Sequence, residues 1–277
     1  MLSALTREKI AKTFGQSCQS YDDNARLQRF SGTLLCQYLQ QLSQQRKISK
    51  ANLLDLGCGT GYFTQILNEQ GFEQITALDL SEEMISFAKQ RDYKQGQLNW
   101  VLGDAHALPL LKDSNDIIYS NLVLQWTQPL TLALSEAYRI LKPGGYMVFS
   151  TLVDGTLTEL KQAWAKVDDD KHVIDYLSRE EVDAAWKSAG FKSIDTHAEP
   201  VELPYKNVSH LARELKHLGA SLVKDKKCKG LMGKDKWQKM TLAYQQVLAQ
   251  NTEKVLLPDH INATYQLYTL CIQKPKI

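Results

Sequence analysis

The sequence predicts an α/β fold: a parallel sheet covered by helices on both faces. Three observations carry that expectation. Between Leu53 and Leu152, short apolar runs alternate with segments of helical spacing, the pattern of repeated strand-helix-strand units. The first run, Leu53-Leu54-Asp55-Leu56, leads into Gly57-Cys58-Gly59-Thr60-Gly61 and then a segment with apolar residues at Phe63, Ile66 and Leu67. That is a buried strand, a tight glycine turn and a helix N-terminus, the place where parallel sheets bind nucleotide-like ligands. Finally, acids close or directly follow the first three runs, at Asp55, Asp79 and Asp104.

Two helices precede the first strand. Leu5, Ile10 and Phe14 mark one over residues 3–15, and Leu27, Phe30, Leu34, Leu35, Tyr38 and Leu42 mark another over 21–42. A polar stretch separates them, and a glutamine-rich linker, 40–50, leads to strand one at 51–56. Strand two is 75–80, after which Ser81 caps a helix opening Glu82-Glu83, negative charge at the positive end of the helix dipole. Strands three and four are 98–102 and 116–121. A helix over 130–141 stops at Lys142-Pro143-Gly144-Gly145, and strand five is 146–152. Helices follow at 157–167 and 178–189, the second opened by Ser178 and Glu181 as a capping box. Residues 193–203 form an edge strand interrupted by Pro200, 207–250 are mostly helical, and 264–273 alternate as a last strand.

With 277 residues and a net charge of +2, the chain has no electrostatic bias toward nucleic acid or a membrane surface, and no apolar stretch has the length of a membrane span. Five scattered cysteines, 18, 36, 58, 228 and 271, argue against a disulfide framework or zinc site and for a reducing, cytoplasmic setting. The first segment mixes charges with apolar residues, unlike a signal peptide. No metal site is expected.

The glycine loop is not a dinucleotide fingerprint, because its third glycine comes one residue early. Its opening aspartate suits a cationic ligand. The run Asp55-Leu56-Gly57-Cys58-Gly59-Thr60-Gly61 resembles the S-adenosylmethionine loop of class I methyltransferases. Asp79, eighteen residues after Gly61, can accept both ribose hydroxyls. Asp104 can accept the adenine amino group while the Ala105 backbone reads a ring nitrogen, with Leu80 and Met84 on the ring faces. Asn121, ending strand four, can reach the methionine part through its carbonyl. The three acids and Leu141-Lys142-Pro143-Gly144-Gly145 match that class in order over residues 50–152. The resemblance implies a Rossmann-like seven-stranded sheet, mostly parallel with an antiparallel last strand, and one methyltransferase domain over 1–277. Its parts would be N-terminal helices (1–50), a cofactor core (51–152) and a helical lid insertion (206–262).

Outside that core, Ile10–Gly15, Tyr21–Gln28, Ser120–Trp126, Ser150–Leu157, Glu159-Leu160, Ala163-Trp164 and Leu215–Ala220 resemble the malonyl-acyl-carrier-protein O-methyltransferases of biotin synthesis. The resemblance implies methyl transfer from S-adenosylmethionine to the free carboxylate of malonyl-acyl carrier protein or malonyl-CoA. Holding that carboxylate takes a cation. Arg213 and Lys216, three apart on a predicted lid helix, are the candidates, with Tyr21 orienting the reactants and Trp126 as an apolar wall. Seven lysines between Lys224 and Lys239 would steer an acidic carrier, with Lys226, Lys227 and Lys229 expected to matter for the carrier and not for CoA. Two other readings stand beside this one. The chain could be another small-molecule methyltransferase, acting on a quinone ring carbon or a different acid, or a cofactor-binding protein without turnover.

Overall fold

The first strand is buried on both faces, and the alternation of its side chains sets the layers. In the computed structural model, which describes residues 4–46, 52–72, 74–93, 97–219, 233–250 and 260–276, strand β1 is Asn52–Leu56. Its Leu54 and Leu56 enter one core and Leu53 the other. The remaining strands are β2 (Gln74–Asp79), β3 (Gln97–Leu102), β4 (Asn115–Asn121), β5 (Leu141–Leu152), β6 (Lys192–Tyr205) and β7 (Ile261–Gln273). They form one seven-stranded sheet in the order β3-β2-β1-β4-β5-β7-β6. Strands β1 to β5 pair in parallel, and β7 runs antiparallel to both β5 and β6. This is the class I methyltransferase arrangement.

Helices α3 (Tyr62–Glu69) and α4 (Glu82–Ala88) follow β1 and β2, and α5 (Leu130–Ile140) precedes β5. Helices α6 (Thr158–Ala165) and α7 (Arg179–Ser188) come before β6. Helices α8 (Val208–His217) and α9 (Lys234–Gln250) lie between β6 and β7. Leu130, Leu134, Val182 and Trp186 of α5 and α7 cover one face, and Phe63 and Leu67 of α3 belong to the other. A third cluster joins Trp164, Leu211, Met240 and Tyr244 to Tyr265 and Leu267 of β7. Among the described residues no helix is long and apolar enough to cross a membrane.

The N-terminal region differs from the sequence expectation. Helix α1 runs unbroken over Ala4–Asn24, through the polar stretch, and α2 over Arg26–Arg46. Side chains that compete for backbone elsewhere fold back here. Ser17 Oγ donates to the Thr13 carbonyl (3.1 Å) and Asn24 Nδ2 to the Ser20 carbonyl (2.7 Å), contacts that fit within a helix. Tyr21 therefore belongs to the last turns of α1, and most of the expected glutamine linker is helical.

Two other boundaries move. Pro143 ends α5, but strand pairing starts already at Leu141, opposite Asn115, so the stop segment is strand. β6 continues through Pro200, which pairs with Gln266. Proline is tolerated because β6 is the outermost strand. The capping box at Ser178 and Glu181 is present. Lys224 to Lys229, on which the docking expectation rested, lie outside the described residues, as does Cys228.

Candidate active site

The glycine turn is held at the carboxyl edge of the sheet. The Gly57 and Cys58 amides both donate to the Leu78 carbonyl (2.7 and 3.0 Å). Gly57, Gly59 and Gly61 all have positive φ, 77°, 53° and 76°, where a side chain is strained. A Cβ on Gly57 would press 2.3 Å from Val123, whereas the space beside Gly59 is open. The glycines thus serve packing and φ at Gly57 and Gly61, and access at Gly59. Cys58 is a buried small residue, its thiol pushed well above the ordinary range by burial, so it is not a nucleophile.

Around this turn two of the strand-end acids, Asp79 and Asp104, share one cavity. Asp79 Oδ2 accepts the Gly59 amide and Oδ1 the Ser81 amide, both at 2.9 Å, so Asp79 locks the loop to the start of α4. It lines the cavity with Gly57, Gly59, Leu80, Met84, Asp104 and Ala105. Asn121 lines the same space, but its side chain is spent. Its Oδ1 accepts from Ser31 (2.7 Å) and Ser150 (2.8 Å), and its Nδ2 donates to the Gln28 carbonyl (2.9 Å). Asp55 lies behind Gly59, buried, accepting from Thr64 Oγ1 at 2.6 Å. Burial pushes its carboxyl up to about 7.

Helix α1 forms the roof of this cavity. Arg7, Ile10, Phe14 and Tyr21, on one helical stripe, line the cavity. Arg7 Nη1 pairs with Asp104 Oδ2 at 2.6 Å, on the carboxylate assigned to adenine recognition. The other oxygen of Asp104 accepts the His106 amide (2.9 Å). At the far end, Asp22 accepts from Thr60 Oγ1 (2.6 Å) and pairs with Arg91, whose Nε donates to the Thr60 carbonyl. Helix α1 is fastened at both ends across the glycine loop. Spacing alone showed Ile10 and Phe14 as one face, but not what that face covers.

Tyr21 is the junction. It lines the cavity of the acids, the pocket behind the glycine loop that contains Asp55 and Gln28, and a third pocket between α1, α2 and α8. The third pocket shares Phe14, Leu122 and Trp126 with the first, and adds Gln125, Tyr176, Glu214, Leu215, Leu218 and Tyr265. Trp126 stands edge-on to Phe14 at 5.4 Å, the wall the sequence suggested. Burial, with the charges of Asp79 and Asp22, raises the Tyr21 phenol far above its ordinary value. It stays a neutral donor at any physiological pH. A wider cleft between α2 and the β6–β7 hairpin contains neither the glycine loop nor the three acids.

Arg213 and Lys216 require a correction. Both share a face of α8, but that face is exposed. The pocket sees Glu214, Leu215 and Leu218 instead. The physical reason is the apolar stripe Leu211, Leu215 and Leu218, which turns that side of α8 inward. The cation nearest this region is Arg26 of α2, whose Nη2 lies 2.9 Å from Glu214 Oε2 and whose Nη1 donates to the Pro204 carbonyl. Tyr205 donates to Glu214 Oε1 (2.8 Å) and lies 2.9 Å from the Tyr265 hydroxyl.

The expected cofactor fits these residues. Open space at Gly59, one acid per successive strand, the apolar side chains of Leu80 and Met84, and a buried carboxylate for a cationic end border two adjoining pockets that share Tyr21, Gly57, Gly59 and Asn121. A pH dependence follows from Asp55. Its folded pKa, about 7, lies above the unfolded value near 4. Asp55 therefore costs stability as pH rises from about 4 to about 7, and the cost is complete above that. A bound cation favours the carboxylate, so S-adenosylmethionine should bind more weakly at pH 6 than at pH 8, releasing protons on binding near pH 6. Calorimetry in two buffers of different ionisation enthalpy checks this, and Asp55→Asn should flatten the dependence.

Residues 54–149 match the family described as a methyltransferase domain. A malonyl-[acyl-carrier protein] O-methyltransferase of Yersinia pestis is 37% identical over 238 residues, covering 86% of this chain and 84% of that protein. One of Methylococcus capsulatus is 32% identical, covering 96% and 93%. The biotin biosynthesis bifunctional protein BioHC of Cellvibrio japonicus is 36% identical over 99% of this chain, but the chain spans only 52% of it, about half its length. Among solved structures, the YcgJ protein of Bacillus subtilis superposes with a TM-score of 0.55 at 18% identity, covering 85% of this chain and 98% of that one. That likeness shows the fold. The similarity along nearly the whole chain, on a fold whose strand-end acids stand where such a family needs them, gives the assignment: the chain belongs to the malonyl-[acyl-carrier protein] O-methyltransferase family.

Proposed function

We propose that the chain is an S-adenosylmethionine-dependent methyltransferase that esterifies the free carboxylate of a malonyl thioester, carried on acyl carrier protein, in biotin synthesis. The observation that carries this reading is Tyr21, which borders the cavity of Asp79 and Asp104, the pocket of Asp55 and the pocket beneath α8. A cofactor in the first two and an acyl group in the third would meet there. Bound S-adenosylmethionine supplies an electrophilic methyl on a positive sulfur.

The acceptor carboxylate is already ionised at neutral pH, so the residues need not remove a proton. Their work is alignment and exclusion of water. Asp79 and the glycine loop fix the nucleoside end, and Asp104 and Ala105 the base. The Tyr21 hydroxyl, neutral and beside Gln28, donates to one oxygen of the acceptor and leaves the other to attack. Phe14, Leu122 and Trp126 keep the meeting point dry. Free thiols at Cys18, Cys36, Cys58 and Cys271 support a reducing, cytoplasmic setting.

The test is methyl transfer from labelled S-adenosylmethionine to malonyl-carrier protein, with acetyl-carrier protein as control. Transfer to the malonyl form alone is expected. Cofactor binding without transfer to either form would reduce the chain to a binding protein. Tyr21→Phe should lower kcat by one to two orders of magnitude while cofactor affinity changes little, which single-turnover kinetics and calorimetry separate.

A further inference from the structure

Helix α8 has two faces of opposite chemistry. Its inward side, Glu214, Leu215 and Leu218, lines the acceptor pocket. Its outward side exposes Arg213, Lys216 and His217, three and four apart and therefore neighbours on the surface. Arg213 reaches only its own helix, Nε to the Ser209 carbonyl at 3.3 Å. Among the described residues, neither Arg213 nor Lys216 meets a carboxylate. His217 lies 3.1 Å from Ser20 Oγ, so this face adjoins α1, the roof of the cofactor cavity.

Nothing in the packing calls for such a face. The helix dipole accounts for cations in the last turn, Lys216 and His217, but not for Arg213 a turn earlier, and like charges at this spacing weaken a helix. The one acid of α8, Glu214, is buried and paired with Arg26. Helix α2, on the other side of the pocket, contains no acid from Arg26 to Arg46. The whole chain is nearly neutral, with 33 basic and 31 acidic residues. The outward face of α8 is thus positive, beside the pocket that would receive an acyl group on a long arm.

We propose that the outward face of α8, through Arg213 and Lys216, docks an acidic acyl carrier protein so that its acyl-bearing arm enters the pocket between α2 and α8. The proposal rests on the reading of a carrier-bound malonyl acceptor. It also gives Arg213 and Lys216 a role at the protein surface in place of the carboxylate contact.

The experiment compares malonyl-carrier protein with malonyl-pantetheine, which has the same reacting end and no acidic protein, using the full chain with S-adenosylmethionine. The double variant Arg213→Glu/Lys216→Glu should lose about tenfold or more in kcat/KM for the carrier at low ionic strength. It should stay within about twofold of the parent for malonyl-pantetheine, and the gap should narrow as salt screens the surface. Arg213→Gln/Lys216→Gln should lose less, in the same order. Unchanged melting and cofactor affinity would show that both variants are folded. An equal loss on both substrates, or no loss on the carrier, overturns the docking. A parent enzyme that uses malonyl-pantetheine but not the carrier overturns it too. If the parent esterifies neither, the functional reading itself fails and takes the docking with it.

Discussion

Asp79→Ala should weaken S-adenosylmethionine binding by about 100-fold or more. Two ribose hydroxyls on an ionised carboxylate contribute roughly 1.5–3 kcal/mol each, and every 1.4 kcal/mol is about tenfold in affinity. Alanine also removes the acceptor of the Gly59 and Ser81 amides, so the glycine loop loses its tether to α4. Stability should not suffer to match. Burial raises the Asp79 carboxyl above its ordinary range, so holding it ionised at neutral pH works against folding, and alanine relieves that cost. Calorimetry with the cofactor, beside a melting curve, separates the two effects. Asp79→Asn, which keeps one acceptor oxygen, should fall between. A loss under threefold for the alanine variant would remove Asp79 from the cofactor site.

The second large effect concerns the fold beneath the acceptor pocket. Arg26→Ala leaves Glu214 charged and buried, with Tyr205 as its remaining hydrogen-bond donor. Breaking a buried pair in this way costs about 3–5 kcal/mol. Arg26 is one-third exposed, so the lower end, about 3 kcal/mol, is expected. Removing both charges with Arg26→Met/Glu214→Leu should recover most of that loss, because the stranded charge disappears. Denaturant melts of the two single variants and the double one give the coupling. Additive losses would mean that the pair does not hold α8 against α2.

The cofactor half of the site was legible because its determinants are local. A glycine turn and an acid at the end of each strand are chain neighbours of the elements that position them, so Asp55, Asp79, Asp104 and Asn121 could be placed from spacing. The seven-stranded, mostly parallel sheet came only with the family resemblance, and its order only with the structure, since nothing in β6 or β7 announces that β7 inserts between β5 and β6. Closure by the N-terminal segment was legible at Tyr21, but the ion pairs that fasten α1 over the cavity were not. Arg7 meets Asp104 across 97 residues and Arg91 meets Asp22 across 69, and no periodicity reports such contacts. Arg213 and Lys216 are the instructive case. The shared face was correct, yet Leu211, Leu215 and Leu218 already identified the opposite side as the one that must be buried. The apolar stripe, not the charge spacing, fixes what a helix points at the pocket.

The central claim, that the adjoining pockets at Tyr21 bring a methyl donor to a carboxylate, has a direct measurement. The enzyme is given S-adenosylmethionine labelled with carbon-13 in its methyl group and malonyl-carrier protein, and the product is read by NMR. The account predicts label in an ester methoxy carbon, bonded to the distal carboxylate of the malonyl group. Label in a methyl bonded to the malonyl central carbon, or no labelled product while the cofactor binds, would contradict it.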